Sequence, residues 1–411
     1  MRANVVTGLD VGSTKTCAVI AEVNGAFGEA RQPTVKILGV GQARTGGMRR
    51  DVVTDIDGTM NSVKAAVKEA ELMAGVNVDR VWVGTAGDHV HATTSTGVVA
   101  VGSDREIREG DVRRVLEVAR AVAIPADREL LHVIPQQYIV DNQPGIRDAV
   151  GMAGTRLEAE VYIVTSSVTV NQNLAKAVTR AGCKIDGLVY APLATSLAVV
   201  SDDEKDVGVA LVDIGGANTD IAVFRDGELR RLSSIPWGGS VVTNDLAQGL
   251  SITFAEAERA KERYGVAFAQ LVDPRETVEL PGPGPGTRRE VTRELIAHII
   301  EQRVDEILGL VLREIEHAGE LQRLGAGVVL TGGGASLAGV SDVAQHVFGL
   351  PVRMGAPGEG LAGLADSVRK PQFATAAGLV LYAVKQGGVV GGPGFGEGAF
   401  SRIIGWLKEF F

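Results

Sequence analysis

Two stretches of this chain are versions of one another. LDVGSTKT at 9–16 and VDIGGANT at 212–219 put Asp10 against Asp213, Gly12 against Gly215 and Thr16 against Thr219, each pair 203 positions apart. Each stretch ends an apolar run, turns on glycine and enters a second apolar run, which predicts strand, tight turn and strand. A repeat at that distance in 411 residues predicts two related α/β halves facing each other across a cleft, since one core rarely grows so large.

The chemistry of such a pair follows from its residue types. Glycine lets backbone N–H groups approach an anion closely, and a nest of them binds phosphate. Ser13, Thr14 and Lys15 add hydroxyls and a cation on one side; Asn218 and Thr219 add donors on the other. Asp10 and Asp213 repel phosphate, so their expected use is to hold Mg²⁺, directly or through water, or to orient an attacking water. A third glycine loop, LTGGGAS at 330–336, ends a strand with residues small enough for a flat base or ribose to approach. No G-x-x-x-x-G-K-[ST] loop occurs. The three glycine sites together, in this order, predict nucleotide binding.

Composition narrows the class. The chain is 45% hydrophobic with 53 glycines, a folded composition rich in tight turns. Its net charge of −9 argues against nucleic acid as the main partner. Cys17 and Cys183 stand alone, without ligand spacing, as in a reduced protein. The N-terminus runs straight into a strand pattern rather than a signal peptide, and no window holds the ~18 consecutive apolar residues of a membrane span. The expectation is a cytosolic protein, unless its tail holds it to a surface.

Between the repeats the texture changes. HVHATTSTGVVAV and ELLHVIPQQYIVDN read as strands around a charged helix, EGDVRRVLEVARAVA, a small α+β unit inserted at about 85–160. His89 and His91 are expected on one face of a strand there, too few ligands for a metal site. SDDEKD at 201–206 reads as a solvated turn, and the stretch from 246 to 327 as largely helical, broken by an exposed PGPGPG loop at 281–286. Glu258 and Lys261, three apart, read by themselves as an exposed helical ion pair.

The chain closes on a glycine-rich linker at 387–400 and SRIIGWLKEFF at 401–411. At ~100° per residue, Ile403, Ile404, Trp406, Leu407, Phe410 and Phe411 gather within an arc of about 160°. Such a helix could dock on the protein's own body, but Trp and Phe against a basic-edged polar face, after a flexible linker, is the pattern of a helix lying in a membrane interface. With Glu409 beside Arg402 and Lys408, apolar insertion must dominate; one short tail binds weakly, and a polymer of many tails binds firmly.

GLDVGSTKT, LLHVIPQQYIVD, VDIGGANTDIAVF, IPWGGSVVTNDLA, AEAERAKERYG and VVLTGGGASLAGV, with the terminal amphipathic segment, resemble the FtsA family of bacterial cell-division proteins within the actin/hexokinase/70-kDa heat-shock superfamily. The resemblance spans nearly the whole chain. It implies an α/β, actin-like two-domain fold, two ribonuclease-H-like halves around a nucleotide cleft. Domain 1 would comprise 1–84, 161–200 and 371–386, with the inserted subdomain at 85–160. Domain 2 would comprise 201–245 and 328–370, with a helical subdomain at 246–327. It implies ATP and Mg²⁺ as ligands, with phosphate contacts at Gly12, Ser13, Thr14, Lys15, Gly215, Gly216, Asn218 and Thr219. Gly238 and Gly239 would approach the nucleotide; Glu258, Lys261, Gly333, Gly334 and Ser336 would meet ribose and base. The implied partners are the C-terminal peptide of the tubulin-like protein FtsZ, bound through 246–327, further copies in filaments, membrane lipids and later division proteins, at the inner face of the cell membrane. Ala217 and Asn218 depart from the commoner DIGGGTTD pattern, which implies ATP as a switching ligand with slow turnover at most. The rivals are a small-molecule kinase of the same superfamily, which has no use for the tail, and a scaffold like MreB or PilM; recruitment of FtsZ to lipid separates them.

Overall fold

In the computed structural model, residues 4–25, 33–102, 106–282 and 286–386 are described. The linker and the tail, with Ile403, Ile404, Trp406, Leu407, Phe410 and Phe411, lie outside the described residues.

The first hairpin is β1 (Val5–Val11) against β2 (Lys15–Asn24), followed by β3 (Thr34–Arg44) antiparallel to β2. β2 is buried at Thr16–Ala21 without alternation, as a strand covered on both faces must be. A two-rung ribbon, β4 (Met48–Arg49) with β5 (Val52–Val53), leads into α1 (Ile56–Ala74). Asp55 caps α1 by accepting from the Asp57 N–H, and Gly75, at φ 70°, ends it. β6 (Arg80–Thr85) then returns parallel to β1.

The inserted unit follows: β7 (His91–Ala100), α2 (Glu109–Arg120), β8 (Arg128–Val140), β9 (Gln143–Ile146) and β10 (Arg156–Ser167), in the sheet order β7-β10-β8-β9. Val112, Val115, Leu116 and Ala119 form the buried face of α2. β7 starts at His91, so His89 does not share its face; His89 sits in the preceding turn, its Nε2 3.2 Å from the Thr85 hydroxyl. No cluster of three potential metal ligands exists among the described residues.

The chain re-enters the first half through α3 (Val168–Arg180), β11 (Lys184–Tyr190) and α4 (Ala191–Val199). The SDDEKD stretch is largely exposed, as expected, but it is not a turn. It contains the short helix α5 (Asp202–Val207), opened by a capping box between Ser201 and Glu204. Lys205 is buried, bonded to Asp202 at 2.8 Å, and Glu204 is paired with Arg353.

The second half repeats the first. β12 (Val209–Ile214), β13 (Thr219–Arg225) and β14 (Glu228–Ile235) form an antiparallel meander. α6 (Gly239–Gly249) and α7 (Phe254–Tyr264) follow, then β15 (Thr277–Pro281) and β16 (Arg288–Thr292), then the long α8 (Arg293–His317). The 246–327 stretch is therefore not only helical: the glycine-proline loop joins a hairpin whose Val278 and Leu280 face the core. β17 (Gly327–Thr331), α9 (Val340–Phe348) and β18 (Val352–Met354) complete a sheet of order β14-β13-β12-β17-β18, in which β17 and β18 are parallel to β12.

β19 (Leu361–Gly363) crosses back to pair with β3, and α10 (Ala374–Lys385) packs on the first half. The first sheet reads β11-β6-β1-β2-β3-β19. Apart from β19, both sheets have one plan: an antiparallel meander with two parallel strands beside its first strand. No described helix is long and apolar enough to cross a membrane.

Candidate functional site

The two glycine hairpins meet at the seam between the halves. Each is closed by the same bond: the Gly12 N–H donates to the Lys15 carbonyl at 3.0 Å, the Gly215 N–H to the Asn218 carbonyl at 2.9 Å. Their tips touch, since a Cβ on Gly216 would stand 2.5 Å from the Thr14 side chain. Behind the tips, Thr16 and Thr219 are fully buried. Thr16 shares a 2.8 Å hydroxyl bond with Thr45, and Thr219 donates to the Trp237 carbonyl at 2.8 Å.

α6 is fastened to the second hairpin. Gly239 and Ser240 donate their N–H groups to the Gly215 and Gly216 carbonyls at 2.9 and 2.8 Å. Only glycine fits at 238: a Cβ there would lie 2.6–3.0 Å from the carbonyl oxygens of Gly215, Asn218 and Gly216. Glu258 and Lys261 on α7 join the same place rather than standing exposed. Lys261 is buried, and its Nζ donates to the Gly239 carbonyl at 3.0 Å, Thr243 at 2.8 Å and Glu258 at 2.9 Å. The third glycine loop closes over Asp213 and Ile214. A Cβ on Gly332 would lie 2.3 Å from an Asp213 carboxylate oxygen, and one on Gly334 2.5 Å from the Ile214 side chain. Gly333 faces open space, and Ser336 turns back toward the Gly332 carbonyl at 3.5 Å.

The acidic groups converge here. Asp213 accepts from Thr195 on α4 and Thr375 on α10, both at 3.3 Å, so it ties the second half to helices of the first. Burial, reinforced by the Asp10 charge, pushes its carboxyl up to about 6. Burial also raises Asp10, with Lys15 pulling it back. Lys15 is otherwise engaged with the first half: its Nζ donates to the Gln372 carbonyl and lies 5.2 Å from the centre of the Phe373 ring.

Two further carboxylates stand in the seam. Asp220 lies opposite Asp213 across β12 and β13, one of its oxygens without a hydrogen-bond partner, and burial raises it well above an ordinary carboxylate. It was legible in principle, because a hairpin closed from 215 to 218 must set 220 against 213. Asp51 comes from the β4–β5 turn and bonds to Ser13 and Asn218. It lies 38 and 167 residues from them, and no local pattern points to it.

As a whole, the seam holds backbone amides, hydroxyls and one amide side chain beside a set of carboxylates that disfavour one another's charge. Such an arrangement suits a polyanion accompanied by a divalent cation.

Comparison with known proteins gives the lineage. Residues 210–378 match the family model described as cell division protein FtsA, and residues 87–165 match the SHS2 domain inserted in FtsA. The chain is 40% identical to cell division protein FtsA of Pseudomonas aeruginosa, over 93% of this chain and 90% of that protein. It is also 40% identical to that of Neisseria meningitidis, over 98% of both.

The chain belongs to the FtsA family. It is an actin-like cell-division protein, and β7 to β9 with all but the last two residues of β10 fall in the span that matches the SHS2 insertion of FtsA. Solved structures agree on the fold. The PilM–PilN type IV pilus biogenesis complex aligns with a TM-score of 0.63 at 19% identity, covering 93% of this chain and 99% of that one. MreB5 of Spiroplasma citri bound to ADP aligns at 0.53 and 13%, covering 92% and 96%.

Proposed function

We propose that this FtsA-family protein binds ATP with Mg²⁺ at the seam and uses it to control polymerisation at the cytoplasmic face of the membrane. The carrying observation is the convergence of the two hairpins, the start of α6, the Glu258–Lys261 pair and the third glycine loop on one place. Gly12, Ser13, Thr14 and Lys15, with Gly215, Gly216, Asn218 and Thr219, would hold phosphates. Gly238, Gly239, Glu258, Lys261, Gly333, Gly334 and Ser336 would bound ribose and base. Asp10 and Asp213 suit Mg²⁺ held through water, since a cation favours the charged carboxylates that burial, and for Asp213 also the Asp10 charge, disfavours. The metal would neutralise phosphate charge. This chain's part is to position the phosphates, and with Ala217 at the second turn we expect hydrolysis to be slow.

The terminal segment would carry the membrane contact through Ile403, Ile404, Trp406, Leu407, Phe410 and Phe411, and the 246–327 region would take the FtsZ C-terminal peptide. The inserted unit would face neighbouring subunits and later division proteins. Nucleotide would close the halves, closed subunits would polymerise, and polymers would hold the membrane by many weak tails.

The test is liposome co-sedimentation with ATP, comparing the full chain with one ending at Gln386, each with and without FtsZ. The full chain should pellet and carry FtsZ down while the shortened chain stays in solution. If both stay in solution, the tethering reading fails.

A further inference from the structure

The β4–β5 turn is costly to make. Its two central residues, Arg50 and Asp51, have φ of 49° and 57°. A two-residue hairpin turn of that kind is usually filled by Asn-Gly, because a side chain on a left-handed backbone is strained. Strain of this sort persists only where the surroundings enforce it.

What the turn achieves is the placement of one carboxylate between the two hairpins. The Ser13 hydroxyl donates to one Asp51 oxygen at 2.6 Å, and the Asp51 N–H donates back to the same hydroxyl at 2.7 Å. The Asn218 side-chain amide donates to the other oxygen at 2.6 Å. In giving its NH₂ to Asp51, Asn218 leaves its own buried oxygen without a partner. Gly87 backs the pair so closely that a Cβ there would lie 3.0 Å from the Asn218 nitrogen and 3.3 Å from the Asp51 Cβ. Ser13 and Asn218 are among the side-chain donors that the two hairpins would offer to phosphate. A carboxylate bridging them has the sign of charge and the paired acceptor oxygens of a phosphate's edge.

We propose that Asp51 is a specificity-determining residue of the nucleotide site: its carboxylate holds the terminal-phosphate position between Ser13 and Asn218, so that the chain discriminates against a nucleoside triphosphate relative to the diphosphate. The inference rests on the nucleotide reading of the seam. Asp51 is a tethered competitor, present at high effective concentration. A triphosphate must turn it out and break its bonds to both hairpins, whereas a diphosphate leaves it in place. Burial pushes the Asp51 carboxyl up to about 6 against the pull of Ser13 and Asn218, the mark of an anion held where desolvation disfavours it.

The test compares the full-length protein with Asp51→Gly and Asp51→Ala, titrating fluorescent ADP and a non-hydrolysable ATP analogue in Mg²⁺. Asp51→Gly removes the carboxylate and suits the positive φ, so it is the variant that keeps the turn. Thermal melts confirm that both variants are folded. The ratio of triphosphate to diphosphate affinity should rise about tenfold or more in both variants, with diphosphate affinity nearly unchanged. An unchanged ratio, or equal weakening of both nucleotides, makes Asp51 a brace and overturns the inference while leaving the nucleotide reading intact. If the parent protein binds neither nucleotide, the nucleotide reading falls and this inference with it.

Discussion

The two glycine hairpins share a backbone and divide the chemistry. Both close with the same bond, and both bury a threonine behind the turn. The first engages its own half through side chains: Ser13 bonds to Asp51, Lys15 to the Gln372 carbonyl. The second is clamped through its main chain, its carbonyls bonded by the amides that open α6, with Lys261 holding Gly239 from below. Opposite the first aspartate, Asp10, stands Cys17, which burial keeps neutral by pushing its thiol up to about 12. Opposite the second, Asp213, stands Asp220. The repeat preserves the geometry that approaches an anion and leaves one half free to gather the negative charge that calls for a cation.

The largest expected effect comes from the clamp. Lys261→Ala leaves the mostly buried Glu258 carboxylate without its countercharge, held only by the Thr243 hydroxyl, and should cost about 3 kcal/mol of stability, read from urea unfolding. Lys15→Ala should cost less, because its hydrogen-bond partner is a neutral carbonyl and it acts on Asp10 and Asp213 through charge alone, without an ion pair. Equal losses would erase the distinction between the halves.

Next is the charge imbalance. Asp220→Cys gives the second hairpin the residue that the first already has. Asp213 has a folded value of about 6, above its unfolded value, so its contribution to stability is present at low pH and is lost as pH rises through about 6. Removing Asp220 takes away one of the four raised carboxylates of the seam, so the variant should show a flatter fall in stability from pH 4 to 7. Its Mg²⁺-supported nucleotide affinity should drop about tenfold. A variant that keeps the parent's pH profile would mean that Asp220 titrates alike in the folded and the unfolded chain, with no raised value to lose.

The smallest effects should be matched. Thr16→Val and Thr219→Val each remove one buried hydroxyl bond and should cost about 1 kcal/mol apiece by the same unfolding measurement. A large difference between them would show that the resemblance of the halves ends at the turn.

How much of this was legible in the sequence depends on distance along the chain. The hairpins, the third glycine loop and the inserted unit announce themselves by local turn chemistry and strand patterning. α5 was signalled too, by Ser201 and Glu204 in capping-box spacing, but its charge count suggested solvent; the burial of Lys205 depends on the second half packing against it. The β15–β16 hairpin is short, and its alternation at Val278 and Leu280 covers only five residues. The burial of Lys261 follows from α6 lying against α7, which no spacing within α7 reveals. Asp51 is the extreme case, a residue whose meaning exists only once two distant hairpins are brought together.

The first half contains the start of the chain yet depends on its far end. β3 lacks its outer neighbour until Leu361–Gly363 arrives as β19, and the core over β1 and β2 is closed by Leu379 and Val380 of α10. During synthesis at about 5–20 residues per second, β3 would leave the ribosome roughly 16–64 s before its partner strand. For that interval it is an open sheet edge, the kind of surface that recruits chaperones or other nascent chains. The sheet of the second half has all its strands once β18 is made, so the half that is translated first completes its sheet last.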